Sequence, residues 1–470
     1  MRIGASISGF ERQLLNAVAE ANSAAAANAL RISTGKKINS PADDPSGFLR
    51  VSKMEGRLDL VQRALTRVDV ASNIASGLQT NATAIRTQLT AIRTALLEDE
   101  DLSLTSSQRD ENQAEIDAAI DQINSLASAE IVGERRLDGS GDFTVSGVNS
   151  AEVESLEVFG VGGETSITGH VVTRAAQSQL THTGSSGQVA NTATFTLQGE
   201  TGSTSISVTA AEDLTDVATR INQSSHKTGV TASASGDVLT FESVGYGEDA
   251  TIGVTLTSGG PFAVAGGNGD GTAEGVDAVA VINGATLTGD GNKLYYSQAG
   301  LSFRLELAGD FGSELDTITI SQEAVERFNL STEVGRTTTL ALPGLQAAQL
   351  GGVSGSLDQL YNGGSLSGLN TNTSQAIRVV DEALGKLTRV EGRIDGFANS
   401  SVASSKGLLE GFEDSLETAL SNINSVDTTE ENLLLSANSG LAQNAIASLA
   451  ILDQQRSDIL AIVKQIAGLV

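Results

Sequence analysis

Residues 33–47 read Ser-Thr-Gly-Lys-Lys-Ile-Asn-Ser-Pro-Ala-Asp-Asp-Pro-Ser-Gly and lie between two helical patterns. Asp44 is one of the residue types that cap helix N-termini, and Pro45 stands directly after it. Proline suits the first helical position, because its missing N–H would have no helical partner there in any case. The stretch therefore predicts that a long helix begins at Pro45.

Apolar residues recur at spacings of three and four on both sides of this stretch, which is typical of amphipathic helices. After it, the rhythm continues from Val51 to Leu96 with a step near Ala71, about 45 residues and far longer than an ordinary globular helix. A further helix is predicted over 106–129. Before it, the stripe consists of Ile7, Phe10, Leu14, Val18, Ala21 and Ala25.

The C-terminal flank mirrors this pattern. One stripe covers 377–397, weakens at Ser401 and Ser404, and recovers over 408–423. Chain ends are normally polar and frayed, so two amphipathic ends indicate that each packs against another helix. A single chain offers few partners for them beyond each other. The last stripe consists of Leu441, Ala445, Leu449, Leu452, Ile459, Val463, Ile466 and Val470.

The middle of the chain has a different composition, since 36 of the 51 glycines lie in 141–370. Short alternating runs there predict strands, and Asn283-Gly284 between two apolar runs predicts a hairpin. Thr209 and Glu212 form a capping-box pattern that predicts a short helix over 214–221. We read the middle as one or two small α+β domains inserted between the helical flanks.

These patterns predict an α+β fold, in which a long helical coiled-coil bundle from both chain ends carries an inserted β-rich central region. The expected domains are a terminal helical inner-core domain of 1–40 with 430–470, a helical bundle domain of 41–140 with 371–429, and a surface-exposed variable region of 141–370 with possible subdomains near 188–257 and 275–335.

The composition excludes several classes of function. The chain has 57 acidic and 29 basic residues, and its net charge of −28 repels the phosphates of nucleic acids. It has no cysteine, which excludes disulfides, thiolate metal sites and cysteine nucleophiles. No window approaches ~18 uninterrupted apolar residues, and the first residues lack the apolar core of a signal peptide. We therefore expect neither nucleic acid nor a membrane as a partner.

Residues that commonly carry catalysis are sparse. His170, His182 and His226 are scattered through the middle with no partner at i+3 or i+4, and the common zinc-protease, hydrolase and P-loop motifs are absent from the sequence. We interpret the histidines as solvent-exposed, and Gly266–Gly271 as a turn rather than a calcium site. We expect no enzyme, no cofactor and no metal.

Three charged segments bear on partners. The acidic run Glu98–Asp101 is interpreted as a solvated loop between helices rather than a partner-binding patch. Residues 31–67 hold eight Lys or Arg against four Asp or Glu, which fits either a self-association surface or an ordinary helix surface. Residues 141–340 hold 24 acidic and 7 basic residues, a balance of −17 that suits exposure to water and keeps copies apart.

Residues 33–47 closely resemble the N-terminal signature of bacterial flagellins, the subunits of the flagellar filament. Residues 114–124 and 135–140 are similar to the end of the family's N-terminal block, and Glu431–Ala437 resembles the start of its last block. Segment 194–256 is similar to a small inserted module of some flagellins and filament-cap proteins. The resemblance covers the two flanks, about 1–140 and 371–470.

The resemblance implies a structural protein that leaves the cell through the flagellar type III export channel without a cleaved signal and joins the extracellular flagellum. Its terminal helices would pack with those of neighbouring subunits as nested coiled-coil tubes in a helical filament used for swimming motility. The implied partners are further copies of the chain, an export chaperone, and hook-associated and cap proteins. The candidate assembly residues are Ile7, Phe10, Leu14, Val18, Lys36, Lys37, Asn39, Asp43, Asp44, Leu441, Leu449, Leu452, Ile459, Val463 and Ile466.

Two alternatives to the filament subunit stay open. The tail from Ile459 to Val470 lacks the Pro-Gln pattern common near flagellin C-termini, which leaves the related hook–filament junction protein, since that protein shares both helical ends. A surface adhesin that uses the β-rich middle is the alternative from a different class. An enzyme is the least favoured function.

Overall fold

The computed structural model describes residues 9–99, 104–162, 165–309, 311–367, 369, 372–466 and 468, without the side chain of Ile466. Ile7 and Val470 lie outside the described residues. The helices are α1 (Gly9–Thr34), α2 (Pro45–Asp99), α3 (Ser106–Ala127), α4 (Leu214–Gln223), α5 (Ser225–Thr228), α6 (Thr373–Gly396), α7 (Ala403–Asn424) and α8 (Thr428–Ile466), with a π-helical segment at Phe397–Val402 and 3₁₀ turns at Ala347–Gln349 and Leu357–Leu360.

The strands all lie between α3 and α6. They are β1 (Glu130–Ile131), β2 (Glu134–Arg135), β3 (Thr144–Ser146), β4 (Val153–Val161), β5 (Ser166–Thr173), β6 (Gln179–Thr183), β7 (Ala193–Gly199), β8 (Gly202–Val208), β9 (Val230–Ser235), β10 (Val238–Ser243), β11 (Ile252–Gly259), β12 (Val264–Ala265), β13 (Thr272–Ala273), β14 (Val279–Ile282), β15 (Ala285–Thr288), β16 (Lys293–Gln298), β17 (Leu301–Leu307), β18 (Glu314–Ser321), β19 (Glu326–Phe328), β20 (Thr338–Leu340), β21 (Gly351–Gly352) and β22 (Gly355–Ser356). The predicted α+β fold, with helical flanks and a β-rich centre, is confirmed.

The chain divides into two compact units, and α2 contributes residues to both. The first unit lies within Met1–Val68, Leu330–Val334 and Ser405–Val470, and the second within Asp69–Asn329 and Gly335–Ser404. The predicted domain boundaries stay predictions. The predicted long helix is confirmed, because α2 begins at Pro45 and continues through the step near Ala71 to Asp99.

The helices of the second unit pack antiparallel. Arg86 of α2 donates to Glu391 of α6 at 3.0 Å, and Arg93 donates to Asp381 at 2.7 Å, so the two helices run in opposite directions. The side chains that the apolar stripes place inside are buried, among them Leu78, Ile85, Leu89, Ile92 and Leu96 of α2, Ile116, Ile120 and Ile123 of α3, and Ile377, Val380 and Leu387 of α6.

The weak point of the C-terminal stripe coincides with an irregular backbone. Ser401 lies inside the π-helical segment Phe397–Val402, and Ser404 follows at the start of α7. A π turn inserts an extra residue into the helical repeat, so the apolar face shifts at that point. The shift explains why the stripe breaks there and recovers from Leu408.

A two-sheet sandwich forms one core of the central region. Its sheets have the strand orders β15-β14-β5-β18-β3 and β16-β17-β4, and the buried side chains between them include Phe303, Leu305 and Tyr296. The predicted hairpin is present as β14 and β15, and both turn residues have positive φ, 47° at Asn283 and 80° at Gly284. Such values define the turn that Asn-Gly favours.

A second core is inserted into the sandwich between β5 and β14. It consists of the sheets β12-β6-β10-β9 and β13-β11-β7-β8 with α4 packed against them, and its centre holds Phe195, Phe241 and Phe262. The predicted helix over 214–221 is present as α4, but Thr209 does not cap it. The Thr209–Glu212 hydrogen bonds close a separate turn, and α4 starts after Asp213.

Two interpretations of polar residues were wrong. Asp99 of the acidic run is buried, because Arg109 and the hydroxyl of Thr373 both donate to its carboxylate; Glu100 and Asp101 lie outside the described residues. His182 is buried too: its ring stacks on Phe262 at 3.8 Å and its Nδ1 lies 2.7 Å from a backbone carbonyl. His170 is exposed as expected, whereas His226 is half-buried.

Candidate assembly surface

The two terminal helices of the first unit pack against each other in opposite directions. Near one end of the pair, Arg31 of α1 lies 3.3 Å from Glu431 of α8. Near the other end, Arg456 of α8 lies 3.4 Å from Glu11 of α1. Because the start of α1 lies beside the later part of α8, the chain ends form an antiparallel pair.

The contact between α1 and α8 is made mainly of small and medium-sized residues. Ala21 and Ala442 are buried, and Leu14 and Val18 are half-buried on the side of α1 that faces α8. Small side chains allow two helices to approach closely, so dispersion contacts accumulate over the length of the pair. Leu449 and Leu452 of α8 are half-buried in the same way.

A second set of apolar side chains on the same helices faces solvent. Phe10 is 57% exposed, Leu441 and Ile459 are 61% exposed, and Val463 is 52% exposed. From residue 450 to 465, Leu452 is the one residue that is not exposed. Further large apolar side chains with at least two fifths of their surface exposed are Leu15 and Leu30 of α1, and Leu433, Leu434, Ile446, Ile451, Leu460 and Ile462 of α8.

Each terminal helix therefore has apolar surface that is covered within the chain and apolar surface that is uncovered, and we call the latter its uncovered face. Each predicted stripe runs along one side of its helix, and the structure covers it over only part of its length. Leu14, Val18, Leu449 and Leu452 are half-buried, whereas Phe10, Leu441, Ile459 and Val463 are more than half exposed. Ile7 and the side chain of Ile466 lie outside the described residues.

The loop between α1 and α2 is tied to the end of α7. The backbone N–H of Lys37 donates to the carbonyl of Asn424 at 2.7 Å. The backbone N–H of Ile38 donates to the side-chain Oδ1 of Asn424, also at 2.7 Å. Asn424 is buried, as is the side chain of Ile38. Both the backbone and the side chain of Asn424 therefore hold the loop. Asn424 is not among the candidate residues.

Two adjacent carboxylates organise the same loop. Asp43 accepts from the backbone N–H groups of Asn39 and Ser40 at 3.0 and 2.8 Å. Asp44 accepts from the N–H groups of Ser46 and Gly47 at 3.1 and 2.9 Å, which confirms it as the cap of α2. Both carboxylates satisfy N–H donors that would otherwise be unpaired.

The same hydrogen bonds stabilise the charged forms of these carboxylates. The pKa of Asp43 is lowered chiefly by the N–H of Ser40, and the pKa of Asp44 chiefly by the N–H of Gly47. The side chains of Asp43 and Asp44 also accept from the hydroxyls of Ser40 and Ser46. The loop is thus built to carry two negative charges at neutral pH.

The remaining candidate residues of the loop are polar and mostly at the surface. Lys36 pairs with Glu55 at 3.0 Å, but both side chains are about half exposed, so the pair contributes little stability. Asn39 donates from its amide to the carbonyl of Lys36 at 2.8 Å, and the side chain of Lys37 is exposed. The structure therefore brings Lys36, Asn39, Asp43 and Asp44 into one loop.

Few other features of the described residues suggest chemistry. Among them, no three His, Asp or Glu side chains lie close enough together to hold a metal ion. None of the described helices has a stretch long and apolar enough to cross a bilayer. The glycine-rich segment 266–271 contains a turn in which Asp270 accepts from the N–H of Thr272 at 3.0 Å.

Long helices from both chain ends and an inserted β-rich centre define an α+β protein whose terminal helices carry exposed apolar side chains. Family models agree with that class. The bacterial flagellin N-terminal helical region matches residues 9–142, the flagellin hook IN motif matches 194–245, and the flagellin C-terminal helical region matches 377–462. The chain belongs to the flagellin family, the structural proteins of the extracellular bacterial flagellum.

Individual relatives are distant. Flagellin B of Vibrio cholerae serotype O1 is 26% identical over 325 residues, which are 66% of this chain and 84% of the relative. The flagellar cap protein FliD D2-D3 domains from Escherichia coli are 19% identical and cover 38% of this chain and 100% of their own, with a TM-score of 0.29. FlgL from Xanthomonas campestris is 12% identical and covers 78% of this chain and 99% of its own, with a TM-score of 0.29.

Proposed function

We propose that this chain is the repeating subunit of the flagellar filament and that copies associate through the uncovered faces of α1 and α8. The observation that carries the proposal is the segment 450–465, in which apolar residues such as Ile451, Ile459 and Val463 are more than half exposed. Several large apolar side chains exposed on one helix are typical of an interaction site. The candidate assembly residues are proposed to act through this surface and the loop 36–44.

The energy of association is distributed over many side chains. Fully burying a Val, Leu or Ile side chain contributes roughly 1.5–3 kcal/mol, so covering a half-exposed one contributes about 1 kcal/mol. The uncovered faces hold a series of such residues, and a filament subunit meets several neighbours at once. Multiple weak contacts of this size sum to a stable polymer, although ordering the helices offsets part of the gain.

The remaining regions are placed away from the contact between subunits. The acidic region 141–370 lies at the outer surface of the filament, where its excess negative charge keeps neighbouring filaments apart. Other partners are an export chaperone, the cap and hook-associated proteins, and the type III export channel through which the chain leaves the cell. These partners are proposed from membership of the flagellin family.

The test is electron microscopy of the purified full-length chain after seeding or salting-out. We expect long regular filaments from the native chain. Ile459→Asp and Val463→Asp place a charge on the uncovered face and should abolish polymerisation while leaving the helical circular dichroism unchanged. Val172→Asp is the matched control, because Val172 is 60% exposed on β5 of the central region and should not affect assembly.

Three outcomes would count against the proposal. Normal filaments from both variants of the uncovered face would refute assembly through α8. Short stubs from the native chain that neither grow nor seed growth favour the junction protein. That alternative rests on the tail, which lacks the Pro-Gln pattern. Specific binding of glycans by the native chain, with no polymer under any condition, favours an adhesin.

A further inference from the structure

The sequence contains three Asn-Gly pairs, at 268–269, 283–284 and 362–363, and the structure holds their amides very differently. In such a pair, the glycine nitrogen can attack the side-chain carbonyl carbon of the asparagine. A bond forms between that nitrogen and Cγ, the bond from Cγ to Nδ2 breaks, and ammonia leaves. Water then opens the succinimide ring to aspartate or isoaspartate. Glycine is the most reactive follower because it has no Cβ to obstruct the approach.

We propose that Asn362 and Asn268 are sites of this modification in the folded chain and that Asn283 is protected. The reaction needs no cofactor or enzyme, since water is the co-reactant. It needs an asparagine side chain that can rotate until Cγ faces the next backbone nitrogen. The freedom of the carboxamide therefore decides which pair reacts.

The carboxamide of Asn283 is held at both of its ends. Its Oδ1 accepts from the backbone N–H of Thr168 at 2.9 Å, and its Nδ2 donates to the carbonyl of Ser166 at 2.9 Å. The hydroxyl of Thr168 also donates to Oδ1, and the backbone N–H of Asn283 donates to the carbonyl of Thr168. These bonds join the hairpin turn to β5, so rotation of the carboxamide requires local opening of the sheet.

The carboxamide of Asn362 has no such restraint. Asn362 is exposed, and its side chain forms no hydrogen bond with any residue that the structure describes. Its backbone N–H is the part that is held, because it donates to Oδ1 of Asp117 at 3.0 Å. Gly363 follows with φ at 89° and with open space where a Cβ would stand. The reacting groups are thus adjacent, exposed and mobile about the side-chain bonds.

Asn268 is intermediate. It is exposed, and its Nδ2 forms one long hydrogen bond, 3.3 Å, to the hydroxyl of Thr272. Its backbone N–H donates to the carbonyl of Thr272 at 2.9 Å, which keeps the turn closed but leaves Oδ1 without a described partner. The expected order of reaction is therefore Asn362 first, then Asn268, with Asn283 far behind.

The product at position 362 would weaken a contact within the second unit. Asp117 of α3 accepts both from the backbone N–H of Asn362 and from the amide of Gln113 at 2.8 Å. Hydrolysis creates a second carboxylate beside Asp117, and two like charges at short distance repel each other. Isoaspartate also lengthens the backbone by one carbon, which displaces the N–H from its acceptor. The segment 357–366 should loosen from α3 as the protein ages.

The experiment ages the full-length native chain in mildly alkaline buffer at physiological temperature. Mass spectrometry of proteolytic peptides measures the amide-to-acid conversion, and an isoaspartate methyltransferase measures the isoaspartate. Asn283 should react slower than Asn362 by on the order of tenfold or more, because it reacts only from locally opened molecules. Equal rates at the three sites in the folded chain, or an Asn362 as stable as Asn283, would overturn the proposal.

Two controls connect the rates to structure. In concentrated urea the three rates should converge, because the hydrogen bonds around Asn283 are lost; persistence of the difference in urea would assign it to the flanking sequence and contradict the proposal. Asn362→Gln should remove the signal of its peptide, since glutamine forms the larger ring slowly. Hydrogen exchange in 357–366 should rise on ageing in the native chain and stay constant in Asn362→Gln.

Discussion

Arg31 lies 3.3 Å from Glu431, 400 residues further along the chain, and the pair joins α1 to the first turn of α8. The side chain of Glu431 is 10% exposed and that of Arg31 is 29% exposed, so water screens the attraction only in part. A carboxylate in the first turn also interacts favourably with the positive end of the helix dipole. Glu431 therefore interacts favourably both with the guanidinium of Arg31 and with the end of its own helix.

Arg31→Met should loosen the terminal pair. Removing one partner of a largely buried ion pair leaves the other charge unpaired, so we expect a loss of about 1–3 kcal/mol. Hydrogen exchange across α1 is the measurement, and its protection should fall. Arg63→Met is the control, because Arg63 pairs with Asp59 on α2 with both side chains about 60% exposed, and it should leave the exchange of α1 unchanged. Equal exchange in the two variants would show that the Arg31–Glu431 pair has no role.

Asp44→Ala should destabilise the start of α2, because it removes the helix cap. The Oδ1 atom of Asp44 accepts hydrogen bonds from two N–H groups, whereas alanine has no side-chain acceptor. Chemical denaturation of the full chain, or hydrogen exchange at residues 45–50, measures the loss. Asp44→Asn retains a capping oxygen and should keep most of the stability. If Asp44→Asn were as unstable as Asp44→Ala, the effect would be due to charge rather than to capping.

The loop 36–44 should lose stability in acid. The pKa values of Asp43 and Asp44 are lowered in the folded chain, so their contribution is present above the ordinary pKa of about 4 and is lost as pH falls through the lower folded values. Exchange protection at Lys37 and Ile38, followed from neutral pH to below pH ~3, should fall in this range. Asp43→Asn with Asp44→Asn should show a smaller change over the same range. An identical acid response in the double variant would contradict the assignment.

Glu157→Gln should destabilise the second unit by several kcal/mol, because three guanidinium groups depend on this carboxylate. Arg389 and Arg393 of α6 each lie 3.0 Å from it, and Arg304 of β17 lies at 3.4 Å. The carboxylate is 11% exposed, so its loss leaves partly buried cations unpaired. Urea denaturation measures the effect. Glu154→Gln, on the exposed face of the same strand, should change stability by less than about 0.5 kcal/mol.

The regular elements could be predicted where a local pattern specifies them. The period of 3 and 4 predicted α1, α2, α3 and α8, and the turn chemistry of Asn283-Gly284 predicted the β14–β15 hairpin. The cap at Asp44 was equally local, because the side chain bonds N–H groups two and three residues on. Each of these depends on neighbours within one or two turns of the chain.

Contacts between distant residues carried no such signal. Asn424 accepts from Ile38 across 386 residues, and nothing in its own neighbourhood marks it as an acceptor. His182 was interpreted as exposed because it has no partner at i+3 or i+4 and belongs to no catalytic motif, yet it is buried and stacks on Phe262. The apolar stripes likewise could not show which of their members are covered, since this depends on which parts of α1 and α8 lie beside each other.

The pairing of α1 with α8 also affects the order in which parts of the chain can fold. The segment that covers α1 is synthesised some 400 residues after it, so α1 is made before the surface that it packs against. Contacts between such distant parts of a chain form slowly, because the loop that they close is long and its entropy must be overcome first. The central cores contain their own partners and can form earlier. Helix α1 is thus made well before the contact that stabilises it can form.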